Sequence, residues 1–290
     1  MFKGVISQLL AVKVPETLFH YTSSAGLMGI LASKKIWTTK IHYLNDNSEM
    51  RLGIEYIRNE IERQQKGVGK TRTEEELDSM ISTLSSINKV NTSLASFTEM
   101  GDQLSQWRGY CEIGKGYSLG FDAPKLRKHI HNQTGYNLVP CIYDEKEHER
   151  LAKELVDHYP TSEMLETVKD MPLPFFIAFS NAVLFLAPLL KSKSFEEERE
   201  WRLITPAMEI GDAKFRNGRH SLIPYWEIDL DIENTIVSIT IGPTPEPILS
   251  SEAVKGLLYK EFLDKSRLEA TVNRINEIDI LQSKIPFRDV

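Results

Sequence analysis

The sequence predicts an α+β fold in a single domain that covers residues 1–290. Strand-like segments occur along the whole chain and alternate with segments whose apolar residues recur at helical spacing. No internal repeat or low-complexity linker marks a boundary between domains. The composition, 41% hydrophobic and 26% charged over 290 residues, is ordinary for a chain that folds around one large core.

The N-terminal segment predicts a strand that turns directly into a helix. Leu18–Tyr21 is apolar and aromatic, as strands are. The next apolar residues, Leu27, Ile30 and Leu31, recur at helical spacing. A second strand is expected at Ile36–Thr39.

A charged helix is expected next, because residues 45–49 have the form of a capping box. Asp46 would be the N-cap, and Glu49 follows it by three positions. We expect this helix to continue through about Gln65.

The central part of the chain predicts two more strands around a short helix. Asn91–Phe97 is apolar, β-branched and Ser-rich, and it leads into a polar turn at Thr98–Asp102. Gln106–Tyr110 is expected to lie on a short helix, and Tyr117–Phe121 has strand character.

Residues 145–190 are expected to form a mainly helical insertion that packs on the domain. Within it, Met171–Leu190 carries no charge over a length that could span a bilayer. Prolines 172, 174 and 188 interrupt this run, and neither flank carries a cluster of positive charge. We therefore interpret the run as a helix buried in the core.

The C-terminal part predicts strands at Glu200–Thr205 and Ile236–Ile241. A last helix is expected from Ser251, and a final strand near Leu268–Ile275.

Composition and motif searches exclude several classes of protein. Two cysteines cannot make a disulfide framework and no secretory signal pattern opens the chain, so we expect a cytoplasmic protein with no membrane segment. The net charge of -6 argues against a broad nucleic-acid-binding face. The seven histidines lack metal-ligand spacing, so no metal is expected. There is no phosphate loop, nucleophile elbow or dinucleotide fingerprint.

Three groups of residues could carry chemistry. The first is His20, which leaves a strand where the chain turns into a helix whose first amides could bind an anion. The second is Ser96–Phe97 with Trp107 and Tyr110, two rings three residues apart that could stack on a flat heterocycle. Each group has a structural alternative: a histidine that packs locally, and aromatic residues that anchor the core.

The third group is the acidic segment before Trp201. Side chains alternate between the two faces of a strand. If this segment is a strand, Glu198, Glu200 and Arg202 lie on one face, and Trp201 and Leu203 lie on the other. A carboxylate there could stabilise an oxocarbenium-like transition state. The alternatives are a solvated charge run or an arginine–carboxylate bridge that fixes an edge strand.

Taken in order, these elements resemble DUF2971, a bacterial family of unknown function. The resemblance rests on Phe19-His20-Tyr21-Thr22, Leu44-Asn45-Asp46 with Glu49, Ser96-Phe97 with Trp107 and Tyr110, and Glu198-x-Glu200-Trp201-Arg202, and it extends to the late Ile239-Thr240-Ile241-Gly242.

A more remote similarity links the opening of the chain to ADP-ribosyltransferases. In those enzymes a first-strand histidine before a helix with Ile-Leu holds the NAD ribose, as His20 would before Ile30-Leu31. The similarity implies split antiparallel β-sheets with flanking helices, a nicotinamide platform at Trp107 or Tyr110, and catalysis by Glu200 with Glu198 at the acceptor. The residues that it assigns to NAD are His20, Tyr21, Thr22, Asn45, Asp46, Ser96, Phe97, Trp107, Tyr110 and Arg202; those that it assigns to catalysis are His20, Glu198 and Glu200.

The similarity implies an enzyme that consumes NAD by mono-ADP-ribosyl transfer or by glycohydrolysis, as a toxin or phage-defence effector. Its acceptor would be a protein or a nucleic acid, and it would act as a homo-oligomer or with a defence-system partner. Two alternatives stay open. One is a noncatalytic module that recognises a nucleotide or a nucleic-acid end; the other is a metal-independent hydrolase or nuclease that uses His20 with a carboxylate.

Overall fold

The computed structural model describes residues 5–44, 47–112, 114–133, 135–158, 166, 174–218 and 221–287. Its strands are β1 (Thr17–Ser23), β2 (Lys35–Lys40), β3 (Ser93–Thr98), β4 (Gly116–Asp122), β5 (Asn137–Pro140), β6 (Glu200–Ile204), β7 (Lys214–Asn217), β8 (Leu222–Asp229), β9 (Ile236–Ile241) and β10 (Asp279–Gln282). Its described helices are α1 (Val5–Leu10), α2 (Ser24–Ser33), α3 (Asn47–Gln65), α4 (Glu74–Ser86), α5 (Leu104–Tyr110), α6 (Ala123–His131), α7 (Glu145–His158), α8 (Pro174–Leu186), α9 (Ile232–Thr235), α10 (Pro247–Phe262) and α11 (Leu268–Asn276).

These elements confirm the predicted α+β class, and six of the predicted strands are present as β1, β2, β3, β4, β6 and β9. The predicted last strand near Leu268–Ile275 is wrong, because that segment forms helix α11. Its β-branched residues suggested a strand, but Thr271 and Ile275 recur at helical spacing, and Ile275 is buried. The strand of this region is β10, which follows the helix.

The strands form one ten-stranded sheet in the order β10-β9-β4-β1-β3-β2-β8-β7, and β6 joins β3 to β5. The neighbouring strands pair in antiparallel fashion, except for the parallel pair β9–β10. The branch point is β3, and the two ends of this strand order, β10 and β7, are four and three strands away from it.

The sheet is split at β3. β1 pairs with the C-terminal end of one edge of β3, at Phe19 and Thr98. β2 pairs with the N-terminal end of the same edge, at Leu94 and Ser93. Between them the backbone around Ser96 has no strand partner on that edge among the described residues, whereas β6 pairs along the other edge from Leu94 to Thr98.

Two hydrophobic clusters cover the two faces of the sheet. One contains the helical layer, which we define as α3, α4, α7 and α8, together with the sheet residues Leu94, Val139 and Ile204. The other contains α2, α6 and α10 with Phe97, Trp201 and other sheet residues. The described part of the apolar run, α8, is buried in the first cluster as expected of a core helix. In the part of the chain that the structure describes, no helix has the length and hydropathy needed to cross a membrane.

Candidate active site

His20 lies at the split in the sheet. Its Nδ1 is 2.9 Å from the carbonyl oxygen of Ser96, the residue at the centre of the unpaired edge of β3. Its ring packs against Phe97, with 5.6 Å between the ring centroids. Burial lowers the pKa of His20 below its usual value, although the hydrogen bond to Ser96 acts in the opposite direction. The imidazole is therefore neutral at physiological pH, and the described residues donate no hydrogen bond to its Nε2.

The turn after His20 is closed by Thr22 and Ser23. The side chain of Ser23 caps α2 by accepting a hydrogen bond from the amide of Gly26 at 3.2 Å. A Cβ on Gly26 would lie 1.9 Å from Oγ1 of Thr22, so only glycine allows this contact. The amide of Ser24 donates to the carbonyl of Lys115. Two of the amides expected to bind an anion therefore have partners within the protein.

Tyr21 faces away from His20, because neighbouring residues of a strand point to opposite faces. Its hydroxyl donates to the carbonyl of Met100 at 2.8 Å and accepts from the amide of Gln103 at 3.0 Å. Burial raises the pKa of Tyr21 above its usual range. Tyr21 anchors the polar turn after β3 to β1.

Trp107 anchors the core, which is the structural alternative to stacking on a heterocycle. It is 5% exposed, its ring packs edge-on against Tyr21 at 4.6 Å, and its indole N–H donates to Asp102 at 2.8 Å. Tyr110, at the end of the same helix, is exposed. Of the two predicted platform residues, Tyr110 is therefore the one exposed to solvent.

Glu200 is the centre of a buried ion-pair network at the start of β6. Both of its oxygens accept from the guanidinium of Arg202 at 2.9 Å, and Oε2 also accepts from Nζ of Lys191 at 2.7 Å. Its backbone amide donates to the hydroxyl of Tyr143. Burial alone would raise the pKa of Glu200, but the charges of Arg202 and Lys191 lower it to about 2. This carboxylate is thus ionised throughout the physiological range.

Glu198 lies outside the strand, which corrects the expected period-two arrangement of three residues. It ends the 3₁₀ helix Lys193–Glu198, and Arg199 between helix and strand has a left-handed backbone, φ 41°. The strand therefore begins only after the left-handed residue Arg199, at Glu200. Nevertheless the Glu198 carboxylate also binds Nζ of Lys191, so it joins Glu200 around one cation. Glu200 and Arg202 share a face, as predicted.

The described residues at the start of β6 also line an open cleft of about 520 Å³. Its lining is rich in carboxylates and consists of Glu99, Pro140, Cys141, Tyr143, Glu196, Glu197, Arg199, Glu200 and Trp201. Glu99 belongs to the polar turn after β3 and accepts a hydrogen bond from the indole of Trp201 at 2.9 Å. The cleft therefore joins the turn after β3 to the start of β6.

The register of the strands relates His20 to Glu200. Phe19 pairs with Thr98, and Thr98 pairs with Glu200, so these three residues share a face. His20 belongs to the opposite alternation, and its ring packs against Phe97 of the second cluster, so the register directs the side chains of His20 and Glu200 to opposite faces of the sheet. β1 and β6 flank β3 on either side, so about two strand spacings, roughly 10 Å, separate their backbones.

The remaining predicted residues and the ones that the prediction missed complete the site. Asn45 and Asp46 lie outside the described residues. Ser96 contributes its carbonyl to His20, while Phe97 is buried in the core. Lys191 and Tyr143 were not predicted, because a single lysine after an apolar run and a lone tyrosine carry no spacing signal. Among the described residues, no group of three or more His, Cys, Asp or Glu side chains could hold a metal ion.

Comparison with known proteins bears on the family alone. No curated protein and no solved structure matches the chain. One family model does match, described as a protein of unknown function (DUF2971), and it runs from within α5 to within β6, a segment that includes Trp107, Glu198, Glu200 and Arg202. The match supports the predicted resemblance to DUF2971 over residues 106–203, and the elements of the resemblance before Gln106 and after Leu203 lie outside it.

Proposed function

We propose that this protein is an ADP-ribosyltransferase-like enzyme that breaks the bond between nicotinamide and ribose in NAD. The observation that carries the proposal is the split at β3, where His20 is fixed on the carbonyl of Ser96 with Nε2 left for a ligand. Glu200, a carboxylate that is ionised at physiological pH, begins the strand on the other edge of β3. Split antiparallel sheets and a histidine on the first strand are what the similarity to these transferases implies.

The chemistry needs one anion close to a developing cation. When the bond from ribose C1 to the nicotinamide nitrogen breaks, the electron pair leaves with nicotinamide, which becomes neutral, and the ribose becomes an oxocarbenium ion. Glu200 would stabilise this cation, since an ionised carboxylate in a site of low dielectric acts strongly on a transition-state charge. Only the contact that strengthens in the transition state accelerates the reaction.

The other residues would orient the reactants. Nε2 of His20 would accept a hydrogen bond from a ribose hydroxyl, because the single proton of the neutral ring is on Nδ1, which donates to the carbonyl of Ser96. The acceptor, a protein or nucleic-acid group or water, would add to ribose C1 and lose its proton to Glu198. Trp107 is buried in this conformation, so the exposed Tyr110 is the better candidate for stacking on nicotinamide.

The burial of Glu200 between two cations favours a second candidate function. A carboxylate that is 3% exposed and bound to Arg202 and Lys191 reaches a substrate only if the network opens. A noncatalytic module that binds a nucleotide in the split through His20 would leave this network as a structural ion pair.

Release of nicotinamide from NAD by the purified protein tests both functions. The assay would be run with and without cell extract, which supplies acceptors. We expect release by the wild-type protein and a loss of about 100-fold or more in Glu200→Gln and in Glu198→Gln. Glu198→Gln keeps the test valid if Glu200→Gln fails to fold, since Glu198 is less buried.

Glu252→Gln, an exposed carboxylate on α10, is the matched control and should retain full activity. Absence of release under both conditions would refute the enzyme. In that case, an NAD-dependent rise in melting temperature that His20→Ala abolishes would identify the binding module.

A further inference from the structure

Lys191 is a buried cation between the two candidate carboxylates. Its side chain is 2% exposed, which is rare for lysine unless its charge is paired. Its Nζ donates to Oε2 of Glu200 at 2.7 Å and to the carboxylate of Glu198. The ammonium also lies 5.0 Å from the centroid of the Phe195 ring.

The backbone around Lys191 is attached to the site from two sides. The amide of Lys191 donates to the carbonyl of Ile142 at 2.9 Å, and the amide of Ile142 donates to the carbonyl of Leu189 at 2.8 Å. Arg202 in turn donates to the carbonyl of Pro188. Residues 188–191, which follow α8 closely, therefore place Lys191 next to the start of β6.

The charges explain why a cation is needed at this place. Glu198 and Glu200 are two residues apart and bind the same ammonium, and two carboxylates in one site without a shared cation would repel each other. Arg202 is already bonded to both oxygens of Glu200. Among the described residues, Tyr143 interacts electrostatically with Glu200, Lys191 and Cys141, and Glu99, Glu196, Glu197 and Arg199 line the cleft with Glu200.

We propose that Lys191 is a positioning residue of the candidate active site, which holds Glu198 and Glu200 together as one anionic pair and so keeps the Glu198 carboxylate available for the acceptor's proton. The inference rests on the proposed function. Lys191 itself is too buried to touch a substrate, and it acts through the two glutamates.

The test compares Lys191→Met with Lys191→Arg and with Lys193→Met, which removes an exposed lysine two residues away. Nicotinamide release would be measured as a function of pH and normalised to the folded fraction. We expect Lys191→Met to lower kcat about tenfold or more and to shift the acidic limb of the profile to higher pH, since loss of the cation favours protonated carboxyls. Lys191→Arg should restore the wild-type limb, and Lys193→Met should leave the profile unchanged.

An acidic limb that stays in place in Lys191→Met would overturn the inference, because a purely structural lysine changes the folded fraction but not the profile. If the wild-type protein releases no nicotinamide, a second measurement still tests whether Lys191 holds the Glu198 carboxylate in place. Carbodiimide labelling of Glu198, read by mass spectrometry against its exposed neighbours Glu196 and Glu197, should rise several-fold in Lys191→Met only. Equal labelling in all four proteins would show that Lys191 does not hold Glu198.

Discussion

Glu200 is the residue on which stability and the proposed chemistry both depend. Its carboxylate is nearly inaccessible to solvent and is compensated by Lys191 and Arg202. A buried ion pair adds little over a well-packed apolar contact, but removal of one partner leaves a buried charge uncompensated. These ion pairs therefore fix the position of the Glu200 carboxylate more than they add to the stability of the fold.

We predict that Glu200→Gln lowers the free energy of unfolding by about 3–5 kcal/mol at neutral pH. The pKa of Glu200 is lowered by folding, so its contribution is present above the ordinary glutamate pKa and is lost as the pH falls toward about 2. The difference between the two proteins should therefore shrink over this window. Urea unfolding across an acidic pH series measures it, with Glu252→Gln as the control; a difference that does not depend on pH would contradict the assignment.

At the scale of elements, the contact between α3 and the 3₁₀ helix Ala187–Leu189 places the helical layer against the site. Gly53 of α3 lies against the backbone of Ala187, and a Cβ built on it would come within 2.2 Å of the Ala187 oxygen. This close approach requires glycine for space and not for a left-handed backbone. The same 3₁₀ helix leads two residues later to Lys191.

Two glycine substitutions in helices should therefore have opposite effects. We expect Gly53→Ala to destabilise the fold by about 1–3 kcal/mol through overpacking. Gly29→Ala in α2 meets no atom within 4 Å and should stabilise the fold by about 0.5–1 kcal/mol, since alanine loses less backbone entropy than glycine in a helix. Denaturant unfolding of both variants gives the comparison, and equal signs for the two changes would show that the α3 contact is looser than described.

At the scale of the whole molecule, the helical layer and the sheet share one hydrophobic cluster. Leu94, Val139 and Ile204 of the sheet pack with Phe179 and Val183 of α8 in the same cluster. Neither layer can bury this surface alone, so separation of the two would expose both sides of the cluster to water.

The shared cluster predicts that the chain unfolds in one cooperative transition. The four tryptophans, at positions 37, 107, 201 and 226, lie in strands of the sheet or in α5, so their fluorescence reports on the sheet. Far-ultraviolet circular dichroism instead reports mainly on the helices. The two transitions should coincide in urea; a tryptophan transition that is displaced from the dichroism transition would indicate that the helical layer is a separate unit.

Local sequence determined the elements whose signals lie within a few residues. Alternation and helical spacing predicted β1, β3 and β6 and the helix after His20, and the uncharged run identified α8 as a core helix. The same reasoning was wrong at α11, because β-branched residues there occur at helical spacing. It also missed β7, whose four residues are all exposed, and β8, whose burial depends on pairing with the distant strand β2.

Tertiary structure alone decided the composition of the site. The sequence indicated His20, Glu198, Glu200 and Arg202 but not that the sheet splits at β3 or that Lys191 joins the two glutamates. It allowed Trp107 as either platform or anchor, and packing against Tyr21 placed it in the core. The physical reason is that burial and ion pairing are set by residues far apart in the chain, whereas spacing along the chain reports only the local backbone.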